Sequence, residues 1–401
     1  MNNKKEKLII LENDVGSGVK SFSFLAVLSA LLVWFTSMMP VLFTKLEASQ
    51  FQQSYQNTFG FDLMHVPMSV IDLPYWLLQL NTVELLGSGS VARFIPVLLS
   101  MGGIFSFFIL LKLWFGTKDA LIGTTLLATN IGFLLAATSI QASLGYLVIV
   151  LCLGLIGVTQ LSRGRSQAIV LVVLSMLLAL YAGVYGWIFI CILALALLRV
   201  TKLTKIQLNT GHRVSVIVMF LLALPFMIFL VRSYPQLWPW SEITTDSLLS
   251  NVEQIGRFVA IGANNPLTMP TQWGLLSFAE ITLLLLGVLL LRRKFKANRY
   301  KIMSALLIGS VVVGVIHGVS IEFIGAFLPI AIIFIIGGVR YIRDSWHLIL
   351  PRNKTGKTTA IAMVWIVIAV LLLLNVSRSF LFWGRISETQ SQYSQDITLE
   401  F

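Results

Sequence analysis

Charge is what this sequence has least of. Its 401 residues include 17 acidic and 29 basic side chains, 11% of the chain, against 57% hydrophobic residues. Soluble domains carry roughly a quarter of their residues charged, so a water-exposed globular fold is excluded. Cysteine is nearly absent: Cys152 and Cys191 both fall inside apolar runs, where a thiol packs as a small hydrophobe, which argues against a disulfide framework. Zinc-ligand spacing is missing too, since His65 beside Asp62 has no partner at a metal-binding interval. No internal repeat or low-complexity tract appears. The stretch "PRNKTGKTTA" lacks the first glycine and the preceding strand of a phosphate-binding loop, and reads as a basic connection.

What the sequence does have is long apolar runs. Windows at 21–43, 91–115, 119–138, 143–161, 167–184, 186–200, 213–231, 273–291, 302–318, 323–341 and 358–376 are candidate membrane spans, eleven in all, the sixth somewhat short. Between the fifth and sixth, "LYAGVYGW" is small and glycine-rich, so a re-entrant hairpin is an alternative there. The apolar stretch after Lys20 exceeds a signal-peptide core and has no small-residue cleavage site, so the first span is expected to stay as an anchor. The fold class that follows is an all-α integral membrane protein. A polytopic domain covers 1–376, and a short outer tail covers 377–401.

The net charge of +12 would suggest nucleic acid in a soluble protein, but here its distribution decides. With the N terminus inside, 23 of the 29 basic residues fall on the inner side, and Lys45, Arg93, Arg232, Arg257, Arg378 and Arg385 fall outside. Eleven acidic residues lie outside, five inside, and Glu280 within a span. That is a positive-inside pattern, so the basic excess sets topology and a nucleic-acid partner drops out. An odd number of spans then puts the C terminus outside.

Most connections are short, with two exceptions at about 44–90 and 232–272. In the first, "DLPYWLLQLNTVELLG" has apolar residues at 73, 76, 77, 80, 83, 85 and 86, close to helical period, with Pro74 near the start. It reads as an amphipathic helix lying on the membrane surface. The second loop carries Trp238, Trp240 and Trp273, suited to the headgroup level.

Five stretches, in order, carry a resemblance: "LEASQF", "DLPYWLLQL", "SVARFIPVLLS", "LWFGTKDALIGTTLLATN" and, farther on, "EFIGAFLPIAIIFIIGG". They resemble the GT-C class of membrane glycosyltransferases, which includes protein mannosyltransferases and lipid A aminoarabinose transferases. In that class an acidic residue follows span one, a Pro-rich aromatic helix lies in the first loop, Ala-Arg-Leu-Pro starts span two, and a Phe-Gly turn precedes span three. The match covers roughly 30–200. This chain has the single Glu47 for the usual acidic pair, Leu73-Pro74 for a double Pro, and Gln141 for an acidic residue ahead of span four. Glu322 lies near the place of an Arg-Tyr.

The resemblance implies a GT-C-like bundle and a hexosyl- or pentosyltransferase. Its donor would be a polyprenyl-phosphate-linked sugar and its acceptor a lipid, glycan or protein, at the outer face of a bacterial plasma membrane. Such chemistry needs an outward carboxylate near the bilayer, as general base or as ligand to a divalent metal ion. Glu47 and Asp72 are the candidate catalytic residues. Glu47 has the alternative of a polar cap on span one paired with Lys45, and Asp72, directly before the Leu-Pro-Tyr helix, that of an N-cap. Phosphate needs cations, for which Arg93, Arg232 and Arg257 are the outer candidates, each with lipid headgroups as the competing partner. Glu280, read as about two turns into span eight, feeds a rival reading as a transporter or flippase. The loss of the acidic residue at Gln141 supports a third, a GT-C-fold protein whose activity has lapsed.

Overall fold

A computed structural model of the chain describes residues 15–38, 43–44, 75, 78–79, 82, 93–139, 144–204, 245–261, 274–294, 298–349, 354–382 and 393–395. Helices dominate these residues. The first half holds α1 (Val15–Met38), α2 (Phe94–Phe115), α3 (Thr117–Thr129), α4 (Ile131–Thr138), α5 (Leu144–Ser162), α6 (Ala168–Leu180) and α7 (Gly183–Thr204). The second half holds α8 (Thr245–Gly256), α9 (Phe278–Lys294), α10 (Asn298–His317), α11 (Ile321–Ile349) and α12 (Lys354–Val376), and wider helical turns continue α8 over Arg257–Ile261 and α12 over Ser377–Phe382. By length and composition five of the described helices suit a membrane crossing, or six if α3 and α4 count as one. Those helices make the chain a membrane protein. The window at 213–231 lies outside the described residues.

Packing separates one helix from the rest. Over Glu322–Arg343, α11 is 94% buried, whereas the apolar windows of α10 and α12 are only 28% and 22% buried. The first is therefore the axis of the bundle, touching α3, α4, α5, α7, α9, α10 and α12, and the other two form its rim. In lipid there is little hydrophobic drive between helices, so close approach depends on small side chains. At the α9–α11 seam a Cβ on Gly287 would run into the Phe334 carbonyl, and one on Gly338 into the Leu283 carbonyl. The two glycines let the backbones touch.

Two connections differ from a simple series of straight spans. The window at 119–138 forms two helices bent by 61° at Asn130. Asn130 is extended (φ −68°, ψ 129°), and its side-chain oxygen accepts N–H bonds from Gly132 at 2.9 Å and Phe133 at 3.4 Å, so one amide ends α3 and caps α4. At "LYAGVYGW", α6 and α7 form a tight hairpin through Tyr181 and Ala182, with Gly183 at φ +61°. Helix α6 has 13 residues, about 20 Å, and by itself falls short of a hydrocarbon core of about 30 Å. The Phe-Gly turn ahead of α3 needs its glycine: Gly116 has φ +95°, and its N–H reaches the Lys112 carbonyl at 3.1 Å.

The bundle has two chemically different ends. At one, Arg343 at the end of α11 makes two bonds to the buried Asp119 of α3, at 2.9 and 3.3 Å. Beside this pair Trp114 donates to Thr159 at 2.9 Å and Arg163 to the Leu113 carbonyl at 3.3 Å. At the other end β1 (Phe43–Thr44), which follows α1, pairs antiparallel with β2 (Tyr393–Gln395), which follows α12. The exit of the first helix and the C-terminal tail thus lie at the same end.

Candidate functional site

By the course of the chain, the described residues of both long loops belong to the end that holds the strand pair. Phe43 pairs with Gln395 and Thr44 with Tyr393, and Glu47 follows Thr44 by three residues. In the first long loop Tyr75, Leu78, Gln79 and Thr82 are helical. Tyr75 and Gln79, one turn apart, are buried, while Leu78 is exposed, and Thr82 bonds back to the Leu78 carbonyl at 2.7 Å. One face of this helix is therefore docked on protein. It is the face of Tyr75 and Gln79; the apolar positions 73, 76, 77, 80, 83, 85 and 86 lie outside the described residues.

The second long loop is tied to the same end. Helix α8 and its wider last turn run beside the segment ahead of α9: Leu275 and Leu276 donate N–H bonds to the carbonyls of Phe258 and Val259 at 2.9 and 3.0 Å. Phe258 sits edge-on to Phe323 with centroids 6.3 Å apart, and Phe323 stacks on Phe327 at 5.2 Å. Asn251 donates to the Val315 carbonyl at 2.9 Å, fixing α8 to the end of α10. The Asn130 amide donates to the Leu275 carbonyl at 2.9 Å, so the bent α3–α4 pair joins the assembly.

Glu280 takes a different place from the one read in the sequence. Helix α9 starts at Phe278, so the carboxylate is in the first turn rather than two turns deep. Its Oε2 accepts from the Ser277 N–H at 2.7 Å and the Ser277 hydroxyl at 2.9 Å, and the Glu280 N–H reaches back to Ser277 Oγ at 3.3 Å. This is a capping box, written in the sequence as Ser-Phe-Ala-Glu. The other oxygen accepts from Asn375 Nδ2 of α12 at 3.1 Å, and Arg378 lies within electrostatic range. Ser379 donates to the Thr129 carbonyl at 3.2 Å. A buried carboxylate so supplied with donors is a structural anchor, which weakens the transport reading that rested on it.

Not far along the same end, the buried Tyr185 hydroxyl has no partner in hydrogen-bond geometry among the described residues, though Ser320 and the Glu322 carboxylate are near it. Ser320 caps α11 by accepting from the Phe323 N–H at 3.3 Å, and His317 is within electrostatic range of Glu322. This grouping was not found by sequence reasoning. Its signal was an aromatic hydroxyl between the fifth and sixth apolar windows and an acidic residue just before the tenth, and nothing local linked them.

The sequence-derived site residues divide as follows. Glu47, Asp72, Arg232 and Gln141 lie outside the described residues. Arg93 directly precedes α2, is buried, and is engaged within the protein, so its side chain does not stand out in headgroups. Arg257 is exposed and bonds Glu253 one turn away at 2.5 Å. The described residues thus bring Arg93 into protein and leave Arg257 on the surface of α8. Among them no group of three or more His, Cys, Asp or Glu suits a metal ion.

Comparison with solved structures relates this arrangement to two structures of one archaeal enzyme. The archaeal oligosaccharyltransferase AglB from Archaeoglobus fulgidus, in complex with an inhibitory peptide and a dolichol-phosphate, superposes with a TM-score of 0.55 at 13% sequence identity. The apo form of the Archaeoglobus fulgidus oligosaccharyltransferase gives a TM-score of 0.54 at 12% identity. In both cases 93% of this chain is covered and 56% of the other, so the chain spans little more than half the length of those proteins. The GT-C fold expected from the order of the motifs is the fold the chain has. No family model matches the sequence, and neither does any curated protein.

Proposed function

We propose that the chain is a membrane glycosyltransferase that moves a sugar from a polyprenyl-phosphate carrier to an acceptor at the outer face of a bacterial plasma membrane. The observation that carries this reading is the GT-C fold, shared with an oligosaccharyltransferase whose complex holds dolichol-phosphate and a peptide. The strand pair that precedes Glu47 supports it further, because it anchors the backbone three residues before the proposed base.

In the proposed reaction the Glu47 carboxylate takes the proton of an acceptor hydroxyl. The freed electron pair attacks the anomeric carbon of the sugar, and the bond from that carbon to the carrier phosphate breaks, leaving the polyprenyl phosphate. Cations hold the leaving charge, and Arg93, Arg232 and Arg257 are the candidates, Arg257 only by exchanging Glu253 for phosphate. Asp72 is read as the cap of the surface helix. A divalent metal ion at the carboxylates would serve the same charge stabilisation.

The test is transfer by the full chain in lipid, supplied with a panel of polyprenyl-phosphate sugars. Glu47→Gln is expected to bind donor as before and to lose about 100-fold or more in rate, since it keeps shape but not basicity. Asp72→Asn is expected to cost about 1 kcal/mol of stability and little rate. Parental rates in Glu47→Gln would remove Glu47 from the mechanism, and a dead Asp72→Asn would move the base there.

A further inference from the structure

Away from the strand-pair end, the groove between α7 and α10 combines two features. It encloses a cavity of about 160 Å³ lined by Ile192, Leu195, Ala196, Arg199, Lys301, Ile302 and Ala305. On α7 the lining residues fall at helical spacing on one face, and on α10 they occupy the first two turns. The small side chains of Ala196 and Ala305 leave the groove open, and its apolar walls continue onto residues that face outward: Leu195 is 68% exposed and, higher on α10, Ile308 is 64% exposed. A surface that apolar belongs in hydrocarbon.

Its mouth is cationic. Arg199 and Lys301 close the groove where α7 ends and α10 begins. Tyr300, next to Lys301, lines a small gap with Trp114 and Phe115, so this is the end of the bundle that holds the Asp119–Arg343 pair. The segments 199–213 and 292–301 carry ten Lys and Arg between them and not one Asp or Glu. An apolar trough closed at its mouth by Arg199 and Lys301 matches a ligand with a negative head on an alkyl chain.

We propose that this groove binds an anionic glycerophospholipid of the adjoining leaflet, with the phosphate on Arg199 and Lys301 and an acyl chain along Ile192, Leu195 and Ile302. The guanidinium can grip two phosphate oxygens, and the ammonium adds a point charge. Five of the seven lining side chains are apolar, so a free anion would leave most of the groove unused. The site is independent of the transfer chemistry proposed for the opposite end.

The experiment is native mass spectrometry of the full chain released from mixed phosphatidylglycerol and phosphatidylcholine micelles. The parental protein is expected to retain one phosphatidylglycerol with at least about tenfold preference over phosphatidylcholine, and Arg199→Gln/Lys301→Gln to lose that preference. Ala305→Phe keeps both cations and fills the trough, so it is expected to lose the lipid as well, and it decides the matter if the double variant does not fold. Inorganic phosphate at millimolar concentration is expected not to compete. No preference in the parental protein, retention by Ala305→Phe, or displacement by phosphate alone would each overturn the proposal.

Discussion

Asp119 and Glu280 are buried carboxylates at opposite ends of one bundle, and they are held by different means. Asp119 is matched by the fork of Arg343, whose own side chain is 34% exposed. Glu280 receives the Ser277 N–H and hydroxyl and the Asn375 amide, with Arg378 at longer range. The first arrangement pairs charge with charge across 224 residues of sequence and retains a path to water. In the second, fixed dipoles solvate one charge where water is excluded, and α9 is thereby joined to α12. The end with the ion pair can therefore relax when a partner is lost, whereas the end with the capping box cannot, because each donor there has been built around a single acceptor.

That difference can be tested by removing one group at a time and measuring reversible unfolding in detergent. Glu280→Ala should be the most damaging, at about 3 kcal/mol, because the helix loses its cap and Asn375 keeps a buried amide with no acceptor. Glu280→Gln should recover more than half of that loss, since a glutamine also closes a capping box. Equal losses for Ala and Gln would mean that the negative charge, and hence Arg378, is what matters. Asp119→Ala should cost less, about 2 kcal/mol, since Arg343 can turn toward solvent once freed. If the loss matched that of Glu280→Ala, the distinction between the two ends would fail. Arg257→Ala should be smallest, within about 0.5 kcal/mol, because its pair with Glu253 is exposed and lies within one helix turn. A stability cost above 1 kcal/mol there would show that Arg257 holds more than its helix neighbour.

The parts of this molecule that were legible in the sequence are those encoded in short windows. Apolar runs announced the described helices. The capping box is also local, Ser277 and Glu280 being three apart, but an apolar window that begins at 273 hides it by placing Glu280 in the hydrocarbon. The break at Asn130 was hidden for a related reason. Hydropathy averaged over 119–138 is high on both sides of one asparagine, and only the turn chemistry of that residue separates the two helices. Of the candidate site, Arg93 reads in the sequence as a cation at the start of span two, but its burial is not legible there, since a window cannot show what packs over its first residues.

By itself the sequence determined that the chain is helical and membrane-embedded and where its cations cluster. Through the order of its motifs, it also determined that the bundle would be of the GT-C kind. Periodicity, hydropathy and charge are properties of neighbours along the chain, so a single strand of letters holds them in full. Only the tertiary structure decided that α11 is the enclosed axis and α10 and α12 the rim, although all three windows are apolar. It also decided that Asn130 reaches Leu275, that Asn375 reaches Glu280, and that the exit of α1 pairs with the tail after α12. Each of these joins residues far apart in the chain. A buried amide or carboxylate states only that some partner must exist, because leaving it unmatched in an apolar interior is costly. Which partner answers is settled by the packing of helices, and the sequence of either segment alone does not contain it.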